Sequence, residues 1–428
     1  MKRLSVLLFA LLLLTTVYAT PSAVFNMDAS GNAQMIITDT TDLAMDTASL
    51  SGMADGSNIL VLKGSLTDSK ALTDPDYDVQ VTASGSTASV TFDMQVLSTD
   101  PLLAPLGDFD ATVAMTVSGG TLNIDISATM TKDAIENVLL LDVGSLEADP
   151  QGFKSDLESA INEAFANMTL LPQKPQVSIT EFSISGSNSV RITMKLSVSG
   201  WGEFMSMLSA LSYQNASQSN FLACLGLNPN DLVLSIMNSD STTTITVSSS
   251  QGSITGRLDV NSQQGNALGT VVLTSLNARI SKSGPKTEID ASASVTDTQT
   301  LLKCMMQGYV PGNYGVESVS YTLAKSSEGQ AMQSIEGKLT SLALKSGSNL
   351  EVSFPAETAA SMGITVNPPS GMDVLSVSGG EKSGNSAVSS GGEFKVVYGK
   401  GGFDLMLIAA IVIVVVVLLL LLSRRKKK

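Results

Sequence analysis

The chain has 428 residues, with 25 basic and 39 acidic side chains and no histidine. Without histidine, the Ser-His-Asp and Cys-His catalytic arrangements are excluded, together with the imidazole ligands that most catalytic zinc and copper sites use. The acidic excess disfavours nucleic acid and anionic lipid headgroups as partners, because like charges repel them.

The N-terminal residues have the pattern of a secretory signal peptide. Lys2 and Arg3 precede an apolar run over residues 4–14, and the small-residue pattern that ends at Ala19 predicts cleavage after it. The apolar run is too short to span a bilayer, which favours removal over anchoring. The sequence therefore predicts export, with residues 1–19 as the signal peptide.

Apolar and polar residues alternate strictly in many segments, among them 90–96, 122–126, 191–198 and 253–260. Such alternation is typical of strands with one buried face, and it predicts antiparallel sheets whose other face lies in water. Turn sequences at hairpin spacing separate the segments, as at Ser283-Gly284-Pro285.

The N-terminal β-rich region, residues 20–104, contains a cluster of carboxylates at alternate positions: Asp74, Asp76 and Asp78. The spacing resembles the start of a calcium loop, but Val79 and Gly85 stand where an EF-hand needs glycine and glutamate. Two interpretations stay open. The three carboxylates form a calcium site of a different kind, or they form a solvated turn, which Asp and Pro both favour.

The clearest helix is predicted from about residue 152 to residue 168. Asp149 and Pro150 have the pattern of an N-cap followed by a first-turn proline. The helix carries an apolar stripe at spacings of three and four, which typically packs on a sheet. Its residues are Phe153, Leu157, Ile161, Phe165 and Met168. This helix ends a predicted β-β-α module over residues 105–175.

Two further segments, 176–268 and 269–367, have the predicted order strand, strand, helix, strand, strand. Such modules repeat the same pattern of alternation and turns with little sequence identity. The fold class predicted from the whole pattern is α+β: mainly antiparallel β modules with a few helices packed on one face, plus one C-terminal transmembrane helix.

The helical part of each of these modules contains one of the two cysteines, Cys224 and Cys304. An even number of cysteines in an exported chain favours a disulfide, and a pair of buried free thiols is the alternative. Asn167 and Asn215 lie in Asn-x-Ser/Thr sequons, so both are predicted glycosylation sites.

The C-terminal part is predicted to be a stalk and an anchor. Residues 368–402 are rich in Gly and Ser and lack periodicity, which predicts a flexible stalk. Residues 403–423 are predicted to form a transmembrane helix, since 405–422 is an uncharged apolar run that spans about 27 Å as a helix. The basic residues 424–428 place the C-terminus in the cytoplasm and the N-terminus outside. The tripeptide Gly-Gly-Phe before the helix resembles the tripartite sorting signals of some prokaryotic surface proteins, and a plain stop-transfer anchor is the alternative.

These features predict a single-pass cell-surface protein with a non-enzymatic ectodomain, either structural or binding an extracellular ligand or surface-layer partner. No phosphate-binding loop or Gly-x-Ser-x-Gly motif is present. One alternative is a carrier of lipid or another apolar ligand, which requires an apolar cavity near Met205, Met207, Met305 and Met306. A second alternative is a Ser-Lys peptidase, although no spacing singles out one serine. Calcium is the only cofactor that the sequence suggests.

Overall fold

The computed structural model describes residues 21–56, 59–95, 107–137, 141–167, 174–205, 240–250, 252–262, 267–268, 271–307, 310 and 312–399. Over these residues the chain is mainly β, with one large antiparallel sheet and few helices. It divides into two compact units. The first comprises residues between 39 and 309 and between 316 and 335, and the second comprises residues from 20–38, 310–315 and 336 onwards.

The first unit contains thirteen strands in one continuous sheet, in which every neighbouring pair is antiparallel. Their order within the sheet is β16 (Gly315–Lys325), β3 (Thr47–Asp55), β4 (Ile59–Thr67), β15 (Lys286–Val295), β14 (Val271–Ser283), β5 (Tyr77–Ser84), β6 (Thr87–Gln95), β12 (Ser253–Ser262), β11 (Ser241–Ser250), β7 (Phe109–Ser118), β8 (Thr121–Thr131), β10 (Ser189–Ser199) and β9 (Gln176–Ser185). The short β13 (Ala267–Leu268) also pairs with β14. At the usual strand spacing, thirteen strands extend over about 58 Å.

Two series of hairpins interleave to make this sheet. The N-terminal half supplies the hairpins β3–β4, β5–β6 and β7–β8, and β14–β15 and β11–β12 return later in the chain to fill the spaces between them. An isolated hairpin leaves backbone groups without partners along both edges, and interleaving satisfies them. The predicted modules 105–175, 176–268 and 269–367 are therefore not separate domains, because their strands alternate within one sheet.

In the described part of the first unit, a helical segment at residues 201–205 accompanies the sheet, together with four further helices. They are α1 (Lys132–Asn137), α2 (Val143–Ala148), α3 (Pro150–Ala166) and α4 (Thr298–Gln307), with a 3-10 turn at Ser69–Thr73. The predicted start of α3 is confirmed: the Asp149 carboxylate accepts a hydrogen bond of 2.8 Å from the Gly152 amide, and Pro150 is the first helical residue.

The second unit contains two sheets that face each other. The first has the order β22 (Gly380–Ser383), β23 (Ser386–Ser389), β20 (Gly363–Asn367), β1 (Ser22–Met27), β2 (Ala33–Thr41), with β1 and β20 parallel. The second has the order β18 (Leu344–Ser346), β19 (Asn349–Phe354), β24 (Phe394–Gly399), β21 (Asp373–Ser378). The helix α5 (Ala356–Ser361) follows β19, and β17 (Ala331–Thr340) carries the chain from the first unit into the second.

The core between these sheets is aromatic. Phe25 on β1 and Phe354 on β19 have ring centroids 4.8 Å apart, and Phe354 also stacks on Phe394 at 6.1 Å. These three rings and that of Tyr398 are fully buried. Because the rings come from both sheets, their contacts fix the two layers against each other.

The predicted stalk at 368–402 is wrong where the structure describes it. Residues 373–399 form β21 to β24, and Phe394 and Tyr398 from this segment belong to the buried core. Most of the described glycines that suggested flexibility lie in turns and bends between these strands. Gly379, for example, has a φ of 69°, and a Cβ there would lie 2.0 Å from the carbonyl oxygen of Glu393.

Candidate functional site

One face of the sheet is apolar across all thirteen strands of the first unit. Directly paired residues in an antiparallel sheet point to the same face, so the registers align side chains into rows that cross the strands. The first central row contains Tyr321, Gly52, Leu62, Ala291, Ala278, Val81, Val90, Leu258, Ile245, Val113, Ile126, Met194 and Phe182. The second contains Leu323, Leu50, Gly64, Ile289, Ile280, Val79, Phe92, Gly256, Val247, Ala111, Ala128, Ile192 and Ile184.

The glycines in these rows make room for large neighbours on the adjacent strand. A Cβ at position 256 would lie 2.1 Å from the ring of Phe92, and a Cβ at position 64 would lie 2.0 Å from the carbonyl oxygen of Ser49. The ring of Phe92 therefore lies across Gly256, a cross-strand arrangement in which an aromatic side chain covers the exposed glycine backbone.

Burial varies along the apolar face. At the β16 side, residues such as Leu50 and Ile289 are buried, and at the β9 side Ile179 and Val198 are buried. On the middle strands β5, β6, β12, β11 and β7, the side chains of the two central rows are only half-buried. Among the described helices, α3 packs on β9 and α4 packs on β3 and β14, so these helices cover the two ends of the face.

An apolar cleft of about 350 Å³ lies where α3 meets the sheet, and we call it the α3 cleft. Strands β7, β8 and β10 each contribute two apolar side chains at alternate positions, and α3 contributes two from its stripe. Among the described residues of the lining, the hydroxyl side chains are those of Ser241 and Thr243 on β11. The described residues of the lining are Met115, Val117, Leu122, Ile124, Ile161, Phe165, Val177, Leu196, Val198, Trp201, Ser241 and Thr243.

Trp201, the only tryptophan of the chain, belongs to this lining. It follows Gly200, whose φ of 71° turns the chain out of β10 and into a helical segment at residues 201–205. The Trp201 ring lies 5.6 Å from that of Phe204, which in turn makes an edge contact with Phe165 of α3. The indole is therefore packed by aromatic neighbours and also faces the cleft.

The opposite face of the sheet is polar. It carries hydroxyl side chains and cross-strand ion pairs, such as Lys195 Nζ to Glu181 Oε2 at 2.9 Å and Lys63 Nζ to Asp290 Oδ2 at 3.3 Å. A hydrogen bond from the Arg257 side chain lowers the pKa of Asp259 below its usual value. These pairs are exposed, so each contributes little to stability. Their role is to keep one face of the amphipathic sheet in water.

The predicted calcium ligands do not form a cation site in the structure. The Asp78 carboxylate lies on the polar face and pairs with the Arg279 guanidinium. The Asp76 carboxylate accepts a hydrogen bond of 2.7 Å from the Gly284 amide, and the buried Lys282 ammonium lies 3.7 Å from it and donates to the Asp74 carbonyl oxygen. No group of three acidic or other metal-ligating side chains occurs among the described residues. Protein cations therefore lie beside two of the three carboxylates proposed for calcium, those of Asp76 and Asp78.

Of the predicted disulfide and the two predicted glycosylation sites, the structure describes one cysteine and one asparagine. The structure records Cys304, which is buried in α4, as disulfide-bonded, and Cys224 lies outside the described residues. Their pairing stays a prediction. Asn167 is exposed at the C-cap of α3, where its side chain is accessible, and Asn215 lies outside the described residues. Glycosylation of both stays a prediction.

The positions of two methionines and two lysines bear on the alternative functions, an apolar-ligand carrier and a Ser-Lys peptidase. Met205 and Met306 are buried, but neither lines the α3 cleft. The Lys282 and Lys325 ammonium groups donate to backbone carbonyl oxygens, of Asp74 and Leu43 respectively. Neither of these two lysines is therefore placed as the general base that a Ser-Lys peptidase needs.

Comparisons with known proteins assign no family to the chain. No protein-family model matches it, and no curated protein shows significant similarity to it. Within the part of the chain that the structure describes, no helix is long and apolar enough to cross a membrane. The predicted transmembrane helix at 403–423 lies outside that part.

Sequence reasoning missed the α3 cleft, although it placed many of its residues correctly on the apolar sides of strands and of α3. The lining comes from three hairpins, the helix α3 and Trp201, and no pattern in the sequence says which hairpins become neighbours. The one available signal was Trp201 between two glycines, directly after an alternating strand.

Proposed function

We propose that this protein is exported, is held in the membrane by the helix at 403–423, and binds an apolar ligand in the α3 cleft without catalysing a reaction. The ligand class that we propose is the hydrocarbon chain of an uncharged lipid. The observation that carries the proposal is an apolar cleft of about 350 Å³ that continues a half-buried apolar sheet face. The anchor and the export rest on sequence patterns alone.

The size and chemistry of the cleft support a single hydrocarbon chain. Its volume lies at the lower end of the range for small-molecule sites, about 300–1,000 Å³, and does not accommodate a folded partner. Removing apolar surface from water stabilises a complex by about 25 cal/mol for each Å² buried, so a chain that covers the lining gains affinity without any ion pair. The hydroxyl group of Thr243 can orient an ester or hydroxyl group at one side.

The charge of the protein supports an uncharged ligand. Without Lys2, Arg3 and the five basic residues at the C-terminus, 18 basic and 39 acidic side chains remain, a net charge of −21. Such a field disfavours the approach of an anionic fatty acid or phospholipid. A neutral acylglycerol or a comparable lipid avoids this repulsion.

Trp201 provides a direct test, because the only tryptophan lines the proposed site. The full chain, kept in solution by an amphipathic polymer, is titrated with a monoacylglycerol that carries bromine atoms on its acyl chain. We expect saturable quenching of the tryptophan fluorescence, and an unbrominated competitor should reverse it. Quenching that rises linearly without saturation would contradict the proposal and favour a purely structural surface role.

Two neighbouring threonines on β11 supply matched variants. Thr243 lines the α3 cleft, whereas Thr244 points to the polar face. Both positions are half-buried, and phenylalanine is well tolerated in strands. We expect Thr243→Phe to fill the cleft and to weaken the binding of the brominated monoacylglycerol at least about 10-fold. Thr244→Phe should keep the affinity within about twofold of that of the unmodified chain. Equal effects of the two substitutions would show that the probe binds elsewhere.

A further inference from the structure

The helix α3 covers the β9 side of the apolar face without burying any of its own residues completely. Its stripe packs on the sheet through Phe153, Leu157, Ile161 and Phe165, and all four side chains stay half-buried. Ile161 and Phe165 also line the α3 cleft. The helix is therefore both the roof of the cleft and a surface element with loosely packed contacts.

Polar side chains of the same helix hold it to the edge of the sheet. The Asn162 amide donates to the Val177 carbonyl oxygen at 2.8 Å, and its oxygen accepts from the Val177 amide at 2.7 Å. The Glu158 carboxylate accepts from the Ile179 amide at 2.7 Å. We call these three hydrogen bonds the latch. Within the described residues, the strand ladder of β9 runs to β10 alone, so the latch lies on the opposite edge of β9.

The latch replaces a neighbouring strand. In an antiparallel ladder, a residue in a hydrogen-bonded pair both donates and accepts, and Asn162 gives Val177 that same pair of bonds from a side chain. The bonds satisfy edge groups of β9 that would otherwise be open to another strand. Unlike a strand, however, the latch consists of side chains on one helix, so it can be released without unpairing β9 from β10.

We infer that α3 is a latched cover of the apolar site, which opens by releasing Asn162 and Glu158 from the edge of β9 and so admits the ligand. This inference rests on the proposed function. Opening exposes the stripe of α3 and the lining of the cleft together, because Ile161 and Phe165 belong to both. The latch thereby sets the rate of entry, and the packing of the stripe returns the helix after the ligand has entered.

The test compares latch variants with matched controls in the full chain. Asn162→Ala and Glu158→Ala each remove latch bonds, whereas Glu158→Gln keeps an acceptor for the Ile179 amide. Glu163→Ala, at an exposed position of the same helix, is the control for changes in helix propensity. Hydrogen exchange of the Val177 and Ile179 amides reports release of the latch. Stopped-flow quenching of Trp201 by the brominated monoacylglycerol reports ligand entry.

We expect each alanine variant of the latch to raise exchange at its amide about 10-fold and to raise the association rate about 5-fold. The variants Glu158→Gln and Glu163→Ala should stay within about twofold of the unmodified chain in both measurements. Unchanged exchange of β16 and β3, at the far side of the sheet, shows that the variants are folded. Faster hydrogen exchange at Val177 or Ile179 with an unchanged association rate of the lipid would contradict the inference that α3 is a cover of the cleft. Failure of the proposed function would appear differently, as the absence of saturable quenching in the unmodified chain.

Discussion

The two units build opposite interiors from the same kind of strand. In the second unit, two small sheets enclose a core in which Phe25, Phe354, Phe394 and Tyr398 are fully buried. In the first unit, one wide sheet carries apolar rows whose middle residues, such as Val113 and Ile245, are only half-buried. Alternation of apolar and polar residues is common to both and does not distinguish them.

The difference lies in the size of the apolar side chains. Large aromatic rings from facing sheets fill the second unit, whereas the two central rows on the middle strands of the first unit consist of Val, Ile, Leu, Ala and Gly, with Phe92 as their single aromatic side chain, and leave a thin apolar layer. A thin layer on one sheet does not close over itself. It remains available to helices at the ends and, in our proposal, to a ligand at the α3 cleft.

The largest expected effect comes from emptying the aromatic core. Phe354→Ala should destabilise the second unit by about 3–5 kcal/mol, because the ring is fully buried between two others. Phe92→Ala, in the half-buried middle of the first unit, should cost about 1–2 kcal/mol. Urea-dependent hydrogen exchange with mass spectrometry follows each unit by its own peptides. Equal losses would show that the middle of the apolar face is as well packed as the core.

An intermediate effect is expected from adding methyl groups to the glycines of the second apolar row. Gly64→Ala should destabilise the first unit by about 2–3 kcal/mol, because its Cβ meets the backbone oxygen of Ser49 at 2.0 Å. Gly256→Ala meets only the Phe92 ring, which can rotate away, and should cost about 1 kcal/mol. Urea titration followed by Trp201 fluorescence measures both. The reverse order would mean that the sheet backbone yields more easily than the Phe92 ring.

The smallest effect concerns the start of α4, where the Asp297 carboxylate accepts hydrogen bonds from the Thr300 hydroxyl at 2.6 Å and the Thr300 amide at 3.0 Å. These bonds lower the pKa of Asp297 in the folded state. The carboxylate therefore stabilises the fold fully above its unfolded pKa of about 3.9, and this contribution disappears as the pH falls through the lower folded pKa. Asp297→Asn should reduce the melting temperature at pH 7 and change it little near pH 2. A reduction that is independent of pH would assign the effect to the helix cap geometry alone.

Local structure could be predicted from the sequence, and long-range pairing could not. The alternation at 191–198 and 253–260 correctly placed β10 and β12, and Asp149 with Pro150 correctly placed the start of α3. The interleaving of hairpins was not predictable, because β7 and β11 meet across more than a hundred residues and alternation is the same for any partner. Register over such distances is set by the fit of whole faces.

Local composition misled the prediction in two segments, because the partners of each segment lie far away in the sequence. The Gly- and Ser-rich segment near residue 380 reads as a linker, but its apolar residues, among them Phe394, pair with strands from distant parts of the chain. The carboxylates of Asp76 and Asp78 resemble a calcium loop until Lys282 and Arg279, about 200 residues later, are brought beside them. In both cases the deciding partner is remote in sequence.

The most direct test of the comparison between the two units is photolabelling of the full chain with an uncharged acylglycerol that carries a diazirine on its acyl chain, followed by peptide mapping. We expect adducts on the lining of the α3 cleft, at β7, β8, β10 and Trp201, with few on the second unit. The substitution Thr243→Phe should suppress those adducts, and Thr244→Phe should not. Labelling that falls equally on both units, or that Thr243→Phe leaves unchanged, would contradict the claim that the apolar face of the first unit is a ligand site.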